Sequence, residues 1–397
     1  MKVAFVTTMT GYPWGGSEEL WYRTALRLKA EGHDVLASVL FWPKMSDNVT
    51  SMKEKGIRLQ VRKPSWGTLP ERIWYKMSRE RLRCYWEIEH FNPDLVVICQ
   101  GHNDGGFEWA ERCRQAKIPY VVIIQCNSEI FWFGDRLDLA VKTYAQAKGV
   151  FCVSRGNLDL LRMQLGDQLP NAEVVWNPWN VSQEAPPGWP SSANSWCLAC
   201  VARLEPSAKG QDLLFRALAL PEWRARPVEL NLYGAGPDEP SLRRLAEMLE
   251  LRNVNFRGHV KDVRMIWEQN HLLVLPSRFE GLPLALVESM WCGRPAVVTD
   301  VAGNTEACVD NETGFVAPAP TVSLLANTLE RAWERREDWQ RMGQAARTRA
   351  ESIIPEDPIG AFAEKLKRCT VTSREIRSSA NSNREKNSPA VDLKIHG

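Results

Sequence analysis

The chain has 397 residues, of which 44% are hydrophobic and 25% charged, and its formal net charge is +2. This length allows two domains that each bury a core, and the near-neutral charge gives no general case for binding nucleic acid. No apolar run approaches the roughly 18 residues that span a bilayer, and residues 1–8 predict a strand, not a secretion signal.

The first forty residues have a β-α-β pattern. A strand over residues 2–8 and a glycine-rich loop precede a helix over residues 18–31, and a second strand covers residues 34–41. This pattern predicts a parallel sheet. The run Gly15-Gly16-Ser17-Glu18 lacks the G-x-G-x-x-G spacing, so a dinucleotide site is not supported. The glycines serve either a tight turn or the close approach of a ligand.

The stretch from Lys53 to Arg83 is markedly basic. It contains ten Lys or Arg residues against three Glu, with tryptophans interleaved. One interpretation is a solvated helix face. The other is docking on an anionic membrane surface or a lipid-phosphate acceptor, through charge and interfacial aromatic rings.

Polar residues follow the next two predicted strands, over residues 94–99 and 120–124. His102 comes after the first, and Gln125 and Asn127 come after the second. Because parallel strands align their carboxyl ends, these loops are expected at the same edge of the sheet as Gly15. They are candidates for contact with a sugar or an acceptor, although a lone loop histidine is also commonly structural.

A second α/β half follows a Pro-, Ser- and Gly-rich connector. A strand over residues 197–203 leads into a loop that holds Arg203 and Lys209. Cys197 and Cys200 form a C-x2-C, but no second pair completes a zinc set, so no metal site is predicted. The ten cysteines have no disulfide-rich spacing, which is typical of a reducing, cytoplasmic setting.

The stretch around Glu280 contains the strongest signal in the chain. An apolar strand over residues 272–275 leads into a loop that carries Glu280 and Gly281, and a helix with Pro283 at its first position then carries Glu288. Free amides at the start of such a helix attract an anion by roughly 0.3–1 kcal/mol. Loops in this position are the usual ligand sites of open α/β sheets.

The spacing of Glu280 and Glu288, within Leu-Pro-Ser-Arg-Phe-Glu-Gly-Leu-Pro-Leu-Ala-Leu-Val-Glu, resembles the E-x7-E motif of the retaining family 4 of GT-B glycosyltransferases. The resemblance implies that Glu280 lies beside the transferred sugar, that Glu288 binds the ribose, and that Arg203 and Lys209 contact the diphosphate of the donor. It also implies further donor contacts from Gly16, Gly234, Gly258, Gly281, Leu282 and Pro283. Many family members have a histidine where this chain has Gln125, which leaves open whether Gln125 or His102 takes that role.

The resemblance further implies two Rossmann-like domains that face a cleft, with a C-terminal helix crossing back to the N-terminal domain. We expect an acceptor-binding domain over 1–181, a linker over 182–195, a nucleotide-sugar domain over 196–355, a crossover helix over 356–369 and a disordered tail over 370–397. No Asp-x-Asp occurs, so a transferase would use Arg203 and Lys209 in place of a metal ion, with no cofactor besides the nucleotide-sugar donor. A glycoside hydrolase, a non-catalytic nucleotide-sugar binder and a GT-B epimerase remain as alternatives.

Overall fold

The computed structural model describes residues 1–63, 80–181, 185–191 and 195–370. The predicted tail after residue 370 lies outside the described residues, and so does most of the basic stretch. No helix in the described ranges is long and apolar enough to cross a membrane.

The N-terminal half forms a parallel sheet in the strand order β3-β2-β1-β4-β5-β6-β7 over the described residues. Most of its strands are short apolar runs that are buried on both faces, as expected for parallel strands covered by helices. The strands are β1 (Lys2–Thr7), β2 (Asp34–Leu40), β3 (Arg58–Arg62), β4 (Leu95–Gln100), β5 (Tyr120–Ile124), β6 (Val150–Cys152) and β7 (Ala172–Val174).

The C-terminal half forms a second parallel sheet, in the described order β10-β9-β8-β11-β12-β13. Its strands are β8 (Trp196–Val201), β9 (Val228–Tyr233), β10 (Val254–Gly258), β11 (Leu272–Leu275), β12 (Ala296–Thr299) and β13 (Gly314–Ala317). Each sheet has separate buried clusters on its two faces, so each half has its own core.

Helices cover both faces of each sheet. In the N-terminal half they are α1 (Gly16–Ala30), α2 (Asp47–Glu54), α3 (Glu80–Phe91), α4 (Phe107–Gln115), α5 (Leu137–Ala145) and α6 (Arg155–Leu165). In the C-terminal half they are α7 (Pro206–Lys209), α8 (Gln211–Leu218), α9 (Pro221–Arg224), α10 (Glu239–Met248), α11 (Val263–Gln269), α12 (Leu284–Trp291), α13 (Asn304–Ala307), α14 (Val322–Glu334) and α15 (Trp339–Ile353).

A last helix, α16 (358–370), leaves the second domain and packs on the first. Phe362 and Leu366 are fully buried there, and the ring of Phe362 meets that of Phe151 edge-on at 5.2 Å. Burying these two side chains contributes about 3–6 kcal/mol. The expected crossover helix is therefore present. It includes Thr370, which we had expected to begin the tail.

The described part of the predicted linker, residues 185–191, is fastened to the second domain by Arg294. This side chain is 2% exposed, and its guanidinium donates to the carbonyl oxygens of Gly188 (2.6 Å) and Pro187 (3.4 Å). It also donates to Trp267 and Asn270 within the domain, and it lies 5.0 Å from the ring centroid of Trp189. Burial lowers the pKa of Arg294 to about 10, so the side chain stays charged at neutral pH.

Two cations of the basic stretch serve the fold. Arg62 is buried and donates to the carbonyl oxygens of Thr7 and Ser38, while Arg58 lies over the ring of Phe91 at 5.1 Å. Arg62 is therefore not part of a docking surface, whereas Arg58 is exposed.

Candidate active site

The carboxyl edges of the two sheets face each other, and their loops are in contact. A Cβ on Gly16, after β1, would lie 3.0 Å from the side chain of Leu284, after β11. A Cβ on Gly281 would lie 2.1 Å from the carbonyl oxygen of Gln125, after β5. Only glycine allows so close an approach, which explains the residue type at position 281.

Lys209 and Glu280 form an ion pair at this junction. The Lys209 Nζ lies 2.6 Å from Oε1 of Glu280, and the two side chains are 17% and 7% exposed. The hydroxyl of Ser277 donates to the same oxygen at 2.8 Å. The structure thus brings together a cation and an acid that the sequence places 71 residues apart.

A second ion pair fixes the loop that carries Glu280. Arg278 binds Asp212 through both terminal nitrogens, at 2.7 and 2.8 Å. Its backbone N–H also donates to the carbonyl oxygen of Ala208 at 2.8 Å. A bidentate pair is geometrically specific, so the loop is held against α7 and α8. Lys209 is the last residue of α7, a one-turn helix where a loop had been expected.

Arg203, like Lys209, belongs to the second domain and lies at the junction between the domains. Its guanidinium carbon is 3.7 Å from the ring centroid of Tyr12, in the loop after β1, and its NH2 is 3.1 Å from a carboxylate oxygen of Glu205. Burial lowers the pKa of the nearby His102; the charges of Arg203 and Lys209 act in the same direction, and those of Asp104 and Glu205 oppose them. We therefore expect His102 to be neutral at physiological pH.

His102 also belongs to an aromatic contact between the two domains. Its ring centroid is 4.6 Å from that of Phe131 and 5.9 Å from that of Phe279, the residue before Glu280. Phe131 and Phe279 meet edge-on at 5.2 Å. The histidine therefore lies beside the loop of Glu280.

Glu288 lies in α12 and is buried. Its Oε1 accepts hydrogen bonds from the backbone N–H of Asn180 at 3.1 Å and from its side-chain amide at 3.0 Å. Burial raises the pKa of Glu288, and these bonds act in the opposite direction. Glu288 thus contacts the segment that leaves the first domain.

Gln125 and Asn127 have different surroundings. The Oε1 of Gln125 accepts from the side-chain amide of Asn177 at 2.8 Å, while its Nε2 is buried with no hydrogen-bond partner. Asn127 is buried and bonds within its own domain, to Gln164 at 2.9 Å and to the N–H of Ser128 at 2.8 Å. Gln125 therefore retains one unpaired donor, whereas both polar atoms of the Asn127 side chain are already bonded.

The remaining predicted donor-binding residues line the second domain at the same edge. Gly234 has a φ of +134°, and a Cβ there would lie 2.1 Å from the carbonyl oxygen of Ala202, next to Arg203. The N–H of Gly234 donates to the carbonyl oxygen of Gly258 at 2.8 Å. Pro283 is the N-cap of α12, so the helix begins at Leu284, one residue later than predicted. The buried Leu282 comes directly before Pro283.

Several residues of the site were given no role from the sequence, although Ser277 and Arg278 lie within the quoted motif: Tyr12, Glu205, Ser277, Arg278 and Glu306. Glu306, in α13, accepts from the backbone N–H groups of Arg155 (3.0 Å) and Gly156 (2.8 Å) at the start of α6. It therefore joins the second domain to the first. Over the described ranges, no group of three or more His, Cys, Asp or Glu side chains is arranged to hold a metal ion.

Two parallel α/β domains whose carboxyl edges meet around a cluster of cations and acids define the GT-B class. Two family models match the chain, "Glycosyltransferase Family 4" over residues 14–183 and "Glycosyl transferases group 1" over residues 197–335. The chain belongs to this family of GT-B glycosyltransferases.

The matches to individual relatives cover only part of each chain. An uncharacterized glycosyltransferase of Haemophilus influenzae is 29% identical over 152 residues, which is 36% of this chain and 42% of that protein. The alpha-D-kanosaminyltransferase of Streptomyces kanamyceticus is 32% identical over 142 residues, 35% of this chain and 36% of the relative. The match thus spans about two fifths of the length of these curated relatives. Among solved structures, Anabaena HepE in complex with UDP is 20% identical with a TM-score of 0.72, over 93% of this chain and all of that one.

Proposed function

We propose that this protein is a retaining, metal-independent glycosyltransferase that moves a sugar from a nucleoside diphosphate donor to the hydroxyl of a glycan, lipid-linked or small-molecule acceptor. The observation that carries the proposal is the group formed by Lys209, Glu280 and Arg203 where the two sheets meet. Membership of the family and the fold shared with a UDP-bound protein support it.

The charges suit the departure of a diphosphate. When the bond between the anomeric carbon and the diphosphate oxygen breaks, negative charge grows on that oxygen. Fixed cations stabilise this charge in the transition state more than in the ground state. The proposal assigns this role to Arg203 and Lys209, with the first amides of α12 as further donors.

The proposal places the sugar against Glu280. The acceptor oxygen forms the new bond to the anomeric carbon on the face from which the diphosphate departs, and the acceptor proton passes to the departing phosphate oxygen. Glu280 is fixed for this task by Lys209 and Ser277. The unpaired Nε2 of Gln125 is a donor for a sugar hydroxyl.

The nucleoside end is assigned to the second domain. Both hydrogen bonds from Asn180 reach Oε1 of Glu288, so the proposal gives its Oε2 to the ribose hydroxyls. Gly234 and Gly258 allow the donor to approach the backbone. These contacts come largely from the backbone, so a donor screen is needed to identify the nucleotide.

The first experiment is a screen of UDP-, GDP- and ADP-sugars by thermal shift and by release of the nucleoside diphosphate, with and without EDTA. A donor at 100 times its dissociation constant stabilises the protein by about 2.7 kcal/mol. We expect one donor class to bind, activity to persist in EDTA, and the product to keep the anomeric configuration of the donor by NMR. No binding by any donor, or an inverted product, would contradict the proposal.

Variants then test the site. Replacing Lys209 by glutamine should lower kcat by about 100- to 1,000-fold, the usual cost of one donor to a developing anion. The matched control is Arg252→Gln, an exposed cation beside the opposite, amino end of β10, which should keep the wild-type rate. Glu280→Gln at full rate would show that Glu280 has been assigned wrongly.

Attachment to the cytoplasmic face of a membrane through the Lys53 to Arg83 stretch is a separate part of the proposal. Its cations other than the buried Arg62 would contact anionic lipid, each worth about 1 kcal/mol near the surface. Co-sedimentation with liposomes should then rise with the anionic lipid fraction. Binding that does not change with this fraction excludes the attachment.

A further inference from the structure

Tyr12 contacts Arg203 across the junction between the two domains. The guanidinium carbon lies 3.7 Å from the ring centroid, which is close enough for the two planes to be in van der Waals contact. Arg203 is also bound by Glu205, in its own domain, at 3.1 Å, and Glu205 is hydrogen-bonded to the side chain of Tyr12. The cation is thus held by one group from each domain.

The loop that carries Tyr12 is itself anchored. The ring of Trp14 packs against Trp21 at 5.9 Å and against Tyr22 at 5.1 Å, and its indole N–H donates to Glu19 at 2.8 Å. These contacts fasten the loop to α1, two residues from the tyrosine. The ring of Tyr12 is therefore presented to the cleft by a fixed support.

The chemistry of a stacked guanidinium explains what this contact does. All five N–H donors of arginine lie in the plane of the group, so a ring against the face of Arg203 leaves the donors free. Glu205 uses one edge of the group. A free arginine side chain loses up to about 2 kcal/mol of conformational entropy when it is fixed, and the ring removes part of this cost before an anion arrives.

We propose that Tyr12 is a positioning residue that holds the guanidinium of Arg203 flat against its ring, with the in-plane donors facing the pyrophosphate of a nucleoside diphosphate donor. This inference rests on the proposed function, in which Arg203 binds the diphosphate. Because Tyr12 belongs to the opposite domain, the hold on the leaving group depends on the two domains being together. Burial, with a contribution from Glu205, raises the pKa of Tyr12 to about 12, so the ring remains a neutral phenol throughout the working pH range.

The test is a double-mutant cycle. Tyr12→Leu should lower kcat/KM for the donor by about 3- to 30-fold, the range of cation–π contacts from exposed sites to sites shielded from water. Tyr12→Phe keeps the ring and should stay within about threefold of wild type. In an Arg203→Ala background, Tyr12→Leu should have no further effect, because the group that it positions is gone. Trp86→Leu, an exposed aromatic residue of the same domain, is the matched control and should change nothing.

The outcomes separate the inference from the proposed function. A folded wild-type protein that releases no nucleoside diphosphate from any donor rejects the proposed function, and the role of Tyr12 falls with it. If the wild type is active and Tyr12→Leu lowers kcat/KM by the same factor with and without Arg203, Tyr12 only shapes its loop. This result rejects the inference but not the proposed function. An unchanged kcat/KM in Tyr12→Leu also rejects it. If Tyr12→Leu fails to fold, Tyr12→Met takes its place in the cycle.

Discussion

Replacing Glu18 by glutamine tests whether a buried acid beside the cleft carries a proton in the folded protein. Glu18 lies in the first turn of α1 and is 4% exposed. Its carboxylate accepts from the indole N–H of Trp21 at 2.9 Å. Burial raises its pKa from 4.5 to about 7, and Glu19 adds to the rise, whereas hydrogen bonds from Thr7 and Trp21 and the charge of Arg62 oppose it.

The size of the effect follows from that rise. At about 1.36 kcal/mol per pKa unit, a change from 4.5 to about 7 corresponds to about 3 kcal/mol. The folded state holds the proton more tightly than the unfolded state. The contribution to stability is therefore complete below pH 4.5 and is lost as the pH rises towards 7. Glutamine keeps the shape of the Glu18 side chain and is neutral at every pH, so the variant does not lose stability as the pH rises.

The measurement is the free energy of unfolding in urea at pH 5, 6, 7 and 8. We expect the stability of Glu18→Gln relative to wild type to rise by about 2–3 kcal/mol between pH 5 and pH 8. Glu312→Gln, which replaces an exposed acid, is the control and should follow wild type at every pH. A difference between Glu18→Gln and wild type that is the same at pH 5 and pH 8 would refute the reasoning.

Two further predictions concern the contact between the domains. Glu306→Ala removes two charge-assisted hydrogen bonds between the domains, each worth about 1.5–3 kcal/mol when shielded and less at this half-buried site. Because the domains are then held together less tightly, the radius of gyration measured by X-ray scattering should increase. Glu312→Ala should leave it unchanged, and an equally unchanged value for Glu306→Ala would contradict the bridging role. Gly281→Ala places a methyl group against the carbonyl oxygen of Gln125, so transfer should fall by at least about 100-fold with little change in the melting temperature of either domain. Gly188→Ala, at a position with open space around it, is the control, and a fully active Gly281→Ala would mean that the two loops do not need this close approach.

Local patterns were sufficient to predict the parallel sheets, and the resemblance to a family added the two-domain architecture and part of the site. Apolar strands ended by polar loops mark the carboxyl edges, and such loops meet at one edge of a parallel sheet. This reasoning, with the family motif, brought Lys209 and Glu280 into one site, and the structure pairs them at 2.6 Å. The bounds of short elements were less accurate. α7 is a single turn, which is too short for a helical period to appear in the sequence.

The contacts between domains could not be predicted from such patterns. Tyr12 and Arg203 are separated by 191 positions in the chain, and Glu306 caps a helix about 150 residues away. Neither pair has a spacing rule, because their distances depend on the relative orientation of two separately folded domains. Asn127 shows a second limit of prediction from the sequence. A polar residue after a strand has the same sequence signature whether it faces a ligand or, as here, bonds to a neighbouring side chain.

The buried Arg294 bears on how the protein can be divided. A fragment that starts at residue 196, where the second sheet begins, would lack the carbonyl oxygens of Pro187 and Gly188 that this cation binds, and would expose the surface that Trp189 covers. Excision of a stable C-terminal half therefore requires a cut upstream of residue 185. By the same reasoning, a pivot in the connector lies before that residue, because the chain from there up to α16 moves with the second domain, whereas α16 itself packs on the first.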